Sequence, residues 1–333
     1  MRILTKITTI MVVLVFLFNT NTFAQISAGG TPFAFQNTFQ HLFINQSIDE
    51  EIVPAFDMAK ALREDEAKGS SRFAAPIAVD YSLERNGSWT ILANGDRLWR
   101  MQLYAKDALG VFVYYEDFYL PLGARVFMYN EEGSQIKGAY THRNNSESGK
   151  FMTGMIEGET AILEYYEPKR VRGQGIIDIS RIYYAYDNDF EPVLPDNVYK
   201  VRSGFGDALA CHTNINCPEG DDWQDHKRGV VRILRVFDEG MGWCSGSLIN
   251  NTSQDETPYV LSAYHCYDGF TPQLDVWRFD FSYESVDCSN PVAEPVYNSM
   301  LGCNLRAGWS DTDVLLLELL QNVPGAYNAR FNG

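Results

Sequence analysis

From about residue 74 onward, short runs of apolar residues alternate with polar ones and are cut by turn residues, the pattern of β-strands. Trp89-Thr90-Ile91-Leu92 precedes Asn94-Gly95, a dipeptide that accepts the positive φ of a tight hairpin turn. Trp99, Met101 and Leu103 then alternate with Arg100 and Gln102, which predicts a strand with one buried face. Further strands are predicted over 111–115, 124–129, 161–166 and 176–186, with Gly133 at a turn and Pro168 as a stop. Many short, closely spaced strands predict a β-sandwich. Ahead of them, residues 54–68 predict one helix. Pro54 suits a first turn, good helix formers fill the body, and Gly69 stops it.

The chain reads as β again after residue 228. Strands are predicted over 229–237, 244–250, 259–263, 275–283 and 314–320, the last apolar enough for burial on both sides. With no long helix among them, these strands predict a barrel or a second sandwich. Between the two groups, residues 187–207 carry Pro192, Pro195, several acidic residues, Gly204 and Gly206, the composition of a connector. The expectation is an all-β chain with a helix plus β-sandwich over 25–195 and a second β unit over 205–333.

Residues 1–24 stand apart. Arg2 and Lys6 precede an apolar run over 10–18, and Thr22-Phe23-Ala24 offers small residues ahead of a cut before Gln25. This predicts a secretory signal peptide, and so a secreted or extracellular protein with no membrane attachment after cleavage. The run is shorter than the ~20 residues a bilayer span needs.

Charge narrows the partners. The net charge of −16 excludes nucleic acid, whose phosphates need a basic surface. Aromatic residues at 14% and charged residues at 21% describe a core-forming chain rather than a disordered one.

All six cysteines follow residue 210: Cys211, Cys217, Cys244, Cys266, Cys288 and Cys303. In a secreted chain disulfides are the default. Zinc is the rival, but no pair has the close spacing of a structural zinc site, even with His212 beside Cys211. A Cys244–Cys266 bridge would close a loop of about 22 residues and stabilise the fold by roughly 3 kcal/mol. It would also pin the backbone of His265, and a general base must be held within hydrogen-bond reach of its nucleophile. Asp313 opens the apolar run 314–320, and a carboxylate there can orient an imidazole and stabilise its cation. Asp311, two residues away, would share the same strand face; its distance from the apolar run makes it the weaker candidate. On spacing alone, such a pair can equally be structural.

The motifs Cys-Ser-Gly-Ser-Leu-Ile-Asn-Asn at 244–251 and Tyr-Val-Leu-Ser-Ala-Tyr-His-Cys at 259–266 resemble the catalytic-histidine region of trypsin-like serine proteases, most closely bacterial lysyl endopeptidases. Cys-Pro-Glu-Gly-Asp at 217–221 resembles the start of their mature chains. The likeness covers residues 205–333. It implies the amino-terminal half of a chymotrypsin-like protease domain, built on its first β-barrel. His265 would be the general base and Asp313 its orienting group. The disulfides would be Cys244–Cys266 and Cys217–Cys288. No metal or cofactor is required, and the substrates would be proteins or peptides. Residues 75–185 resemble more loosely the pro-region of such enzymes, so residues 25–195 would be a pro-region that packs on its own protease domain. Activation would follow a cut near Lys200 or Arg202.

One departure matters. The family's nucleophile sits in Gly-Asp-Ser-Gly, after the aspartate, and no such motif occurs in these 333 residues. The implied reading is a serine endopeptidase precursor, incomplete and inactive as it stands. Cys211 would then lack its partner, and Cys303 has none assigned. The alternative is a secreted binding or adhesion protein whose β-sandwich does the work beside a vestigial protease half.

Overall fold

The computed structural model describes residues 26–40, 48–70, 72–187, 211–289 and 295–333. The expected signal peptide and most of the connector, with Lys200 and Arg202, lie outside them. Among the described residues, no helix is long and apolar enough to cross a membrane.

The first group of elements is β1 (Glu50–Ile52), α1 (Met58–Lys68), β2 (Arg72–Ser82), β3 (Ser88–Ile91), β4 (Arg97–Tyr104), β5 (Gly110–Tyr119), β6 (Arg125–Tyr129), β7 (Ile136–Tyr140), β8 (Phe151–Met152), β9 (Ile156–Glu157), β10 (Thr160–Glu167) and β11 (Ile176–Ala185). The second is β12 (Val230–Phe237), β13 (Gly240–Ile249), β14 (Tyr259–Ala263), β15 (Arg278–Phe281), β16 (Asn298–Leu301), β17 (Cys303–Trp309) and β18 (Val314–Leu319). The fold is all-β, as the alternation predicts. The helix begins four residues later than residue 54, because the Asp57 side chain accepts from Lys60 N at 2.9 Å and caps it there. Gly69 ends it in the left-handed conformation.

One sheet runs β1-β4-β10-β6-β7, with β3 also on β4. A second begins β8-β5-β11-β2 and continues without a break into β13-β12-β15-β16. Leu103 and Leu163 of the first sheet share one core with Val113 and Ile182 of the second, so the two sheets form a sandwich.

The β5–β11 ladder is buried on both faces. Val111, Val113 and Tyr115 point into the sandwich core, whereas Phe112 and Tyr114 point into a second core with Val231, Ile233, Val260 and Leu317. On β11, Ile182 and Tyr184 face the sandwich, and Tyr183 and Ala185 face the other side. Two-sided burial is why 111–115 reads as an unbroken apolar run.

In the second group, β14 pairs β13, β18 pairs β14, and β17 pairs β18. No single hydrogen-bonded ring closes as a barrel among the described residues. The path ends at β16 and β17, which are joined in the chain through Gly302.

Asp280 is fully buried inside this group. It accepts from Arg232 Nε at 3.0 Å, Arg278 Nη2 at 3.1 Å and Ser299 Oγ at 2.7 Å. Burial alone would raise its carboxyl, but Arg278 and Arg232 outweigh that and hold it low. Asp280→Ala would leave two largely buried guanidinium groups without their shared anion. It is expected to cost about 3–5 kcal/mol, measured by urea unfolding against the parent chain.

Candidate functional site

Strand register brings the two chemical residues together. Ala263, the last residue of β14, pairs with Val314, the first of β18. The chain just beyond β14 and the chain just before β18 therefore meet at the same sheet end. His265 lies on a 3-10 turn, Tyr264–Cys266, that follows β14. Asp313 follows another, Ser310–Thr312, and takes the left-handed conformation at φ 52°. Asp tolerates that conformation better than most residues. Asp311 and Asp313 thus lie on a turn, so the strand-face alternation expected for them does not apply.

Three hydrogen bonds close the pair. Tyr264 N donates to the Asp313 carbonyl at 3.1 Å, and His265 N donates to Asp313 Oδ1 at 2.9 Å. His265 Nδ1 lies 2.8 Å from Asp313 Oδ2. An ionised carboxylate can only accept, so Nδ1 carries a proton, and in the neutral imidazole Nε2 keeps its lone pair. The His265 side chain is 70% exposed and that of Asp313 51%. Nε2 is therefore free to take a proton from a group brought to it. The backbone bond and then the ring bond from His265 hold the Asp313 carboxyl below the usual aspartate range.

Disulfides join Cys244 to Cys266 and Cys217 to Cys288. The first links β13 to the residue after His265. The Ser262 hydroxyl adds a bond to the Ser245 carbonyl at 2.7 Å, a second tie between the same strands. Cys211 is free and exposed, and Cys303 is free and buried. Burial pushes the Cys303 thiol up, which makes it an inert part of the core. The donor atoms of Cys244, His265 and Cys266 lie within 4.8 Å of one another. The two sulfurs are bonded to each other, however, and only a thiolate makes a good zinc ligand. Of the other histidines, His142, His212 and His226 lie outside this site, and His41 lies outside the described residues.

Two supports escaped the sequence reading. Arg235 is buried and donates to the Cys266 carbonyl at 3.1 Å, so it braces the turn that carries His265. An arginine inside the apolar run of β12 was the available signal. Gly308 lies against the Tyr264 ring, where an added Cβ would stand 2.8 Å from a ring carbon. Its neighbour is 44 positions away in the chain, and no local pattern announces it.

Residues 205–333 match the family model for the lysyl endopeptidase C-terminal domain. The chain is also similar to a lysyl endopeptidase of Pseudomonas aeruginosa, at 22% identity over 185 residues. That alignment covers 52% of this chain and 38% of the relative, so the chain spans well under half of the relative's length. Over this stretch the chain is lysyl endopeptidase-like, and its relatives at this coarse level are proteases.

Two predictions follow from the geometry. In a 13C NMR titration the Asp313 carboxyl should titrate below a free aspartate, and its bonds to His265 should persist until the pH falls through that lowered midpoint; a midpoint at or above the free value contradicts the geometry. Cys266→Ser should cost about 3 kcal/mol in urea unfolding, the stabilisation of a 22-residue closed loop.

Proposed function

We propose that this chain is the base-bearing half of a secreted serine endopeptidase precursor. The observation that carries the reading is the 2.8 Å contact between His265 Nδ1 and Asp313 Oδ2, set beside the Cys244–Cys266 disulfide. His265 would take the proton from a serine hydroxyl and return it to the leaving amine. Asp313 would fix the tautomer and stabilise the imidazolium that forms between those steps. Its low affinity for protons suits that role, because it stays anionic throughout. The substrates would be peptide bonds in proteins, and the similarity to lysyl endopeptidases points to cleavage after lysine.

Residues 25–195 would be the pro-region, released by a cut in the connector. Residues 205–333 would be the first half of the protease domain. The nucleophile and the oxyanion-binding amides would come from sequence carrying Gly-Asp-Ser-Gly, which these 333 residues do not contain. Leu261, Trp309 and Val314 are exposed near the His265 turn and would form part of the face that receives it.

The 333-residue chain alone is expected to show no turnover of a lysyl ester or amide reporter. The decisive experiment is to read the gene beyond codon 333 and express any longer frame that reaches Gly-Asp-Ser-Gly. That protein should hydrolyse the lysyl reporter. His265→Ala should lower its kcat by about 10⁶ and Asp313→Asn by about 10⁴. A stop codon directly after Gly333, or turnover indifferent to His265→Ala, would overturn the reading.

A further inference from the structure

The geometry points to a specific job for the described residues between 26 and 187: they clasp the far end of strand β13 and complete its edge, while leaving His265 uncovered. Strand β13 has one edge filled by β12 from Gly240 to Ser247. Its other edge is shared end to end. β2 takes Met241 and Gly242, and β14, which leads into His265, takes Ser247 to Ile249. The two contacts are about 16 Å apart along the strand, at ~3.3 Å per residue. Without β2, the first residues of β13 would present unpaired N–H and C=O groups, the edge that proteins protect against misassembly.

The clasp is built around the β12–β13 turn. Arg72 Nη1 donates to the Glu239 carbonyl at 2.6 Å, and the Tyr183 hydroxyl donates to the Phe237 carbonyl at 2.7 Å. Arg181 pairs with Asp238 at 2.9 Å. Lys150 Nζ donates to Gln273 Oε1 at 3.1 Å, and Gln273 in turn donates to Asp238 at 2.8 Å. Phe73 stacks on Trp243 with ring centroids 5.4 Å apart. Gly240 lets the strands approach this closely, since an added Cβ there would meet the Ala74 carbonyl oxygen at 2.6 Å. With all of this in place, the His265 side chain is still 70% exposed.

A pro-region held in this way stays attached after the connector is cut, and its described residues leave His265 open. That consequence rests on the endopeptidase reading; the clasp itself does not. It resembles strand addition to an open sheet edge, in which main-chain bonds supply the grip and side-chain pockets the specificity.

The test uses the full 333-residue chain with a recognition sequence for a site-specific protease inserted between residues 188 and 210. The folded protein is cut and run by size exclusion at about 1 µM. An intact tether supplies an effective concentration on the order of millimolar, so a complex that survives at 1 µM does so by its own contacts. The two pieces should co-elute at the volume of the uncut chain. Diethyl pyrocarbonate should modify His265, read by peptide mass, at a rate within about twofold before and after cutting, as expected for a group not gated by opening of the clasp. Gly240→Ala should fold uncut and separate once cut. If that variant does not fold, Arg181→Ala combined with Tyr183→Phe replaces it, with the same expectation. Separation of the parent pieces, retention of the clasp variants, or a many-fold rise in His265 modification after cutting would overturn the inference. None of these measurements reads catalysis, so an inactive extended protein would overturn the endopeptidase reading and leave the clasp standing.

Discussion

The structure depends most on the two-sided burial of the β5–β11 ladder. A sheet with one wet face could belong to an independent sandwich. This one cannot leave its second face open, because Phe112, Tyr114 and Tyr183 on that face belong to the same core as Val231, Ile233 and Leu317. Burying each such side chain is worth about 1.5–3 kcal/mol, which favours holding the two groups of strands against each other. Pairing of β2 with β13 then aligns the groups in one hydrogen-bonded sheet. The relation between the two halves is therefore set by main-chain register as well as by apolar contact.

The candidate site is a consequence of register at the opposite end of that sheet. β13 positions β14, β14 positions β18, and the two turns beyond Ala263 and before Val314 are forced together. The disulfide, the Ser262 hydroxyl and the buried Arg235 restrict the His265 turn from three directions. What results is a short, doubly anchored carboxylate–imidazole pair in solvent. Exposure suits a base that must meet a substrate-bearing surface, and it explains why the shift at Asp313 comes from hydrogen bonds rather than from burial.

Charge is handled differently inside and outside. Asp280 is buried with two guanidinium groups and a serine hydroxyl, so its lone pairs are occupied and its ionisation is protected. Glu164 is equally buried, but it is met by two backbone amides and the Tyr129 hydroxyl. There burial prevails over those bonds and over the nearby Arg100, and pushes the carboxyl up. Two guanidinium groups hold Asp280 low, whereas one, Arg100, does not offset burial at Glu164.

The amino-acid sequence by itself determined the local structure and the identity of the candidate chemistry. Alternation placed most strands to within a few residues, Asn94-Gly95 marked a hairpin turn, and Gly69 marked a helix end. The Ala-Tyr-His-Cys and Asp-Thr-Asp-Val contexts singled out His265 and Asp313. These features are readable because their hydrogen bonds and side-chain periodicities act within a few residues of one another. Even there a local detail was missed: Asp57, not Pro54, starts the helix, because a side-chain cap outranks a permissive proline. Tertiary structure alone decided the rest. The run at 111–115 is buried on two faces rather than one, β2 joins β13, and among the described residues the second group of strands closes no single ring. Arg72 reaches Glu239 across 167 positions, and Gly240 and Gly308 are required by partners remote in the chain. Contacts of that range leave no periodic trace along the sequence, because their partners are chosen by packing and register after the strands have formed.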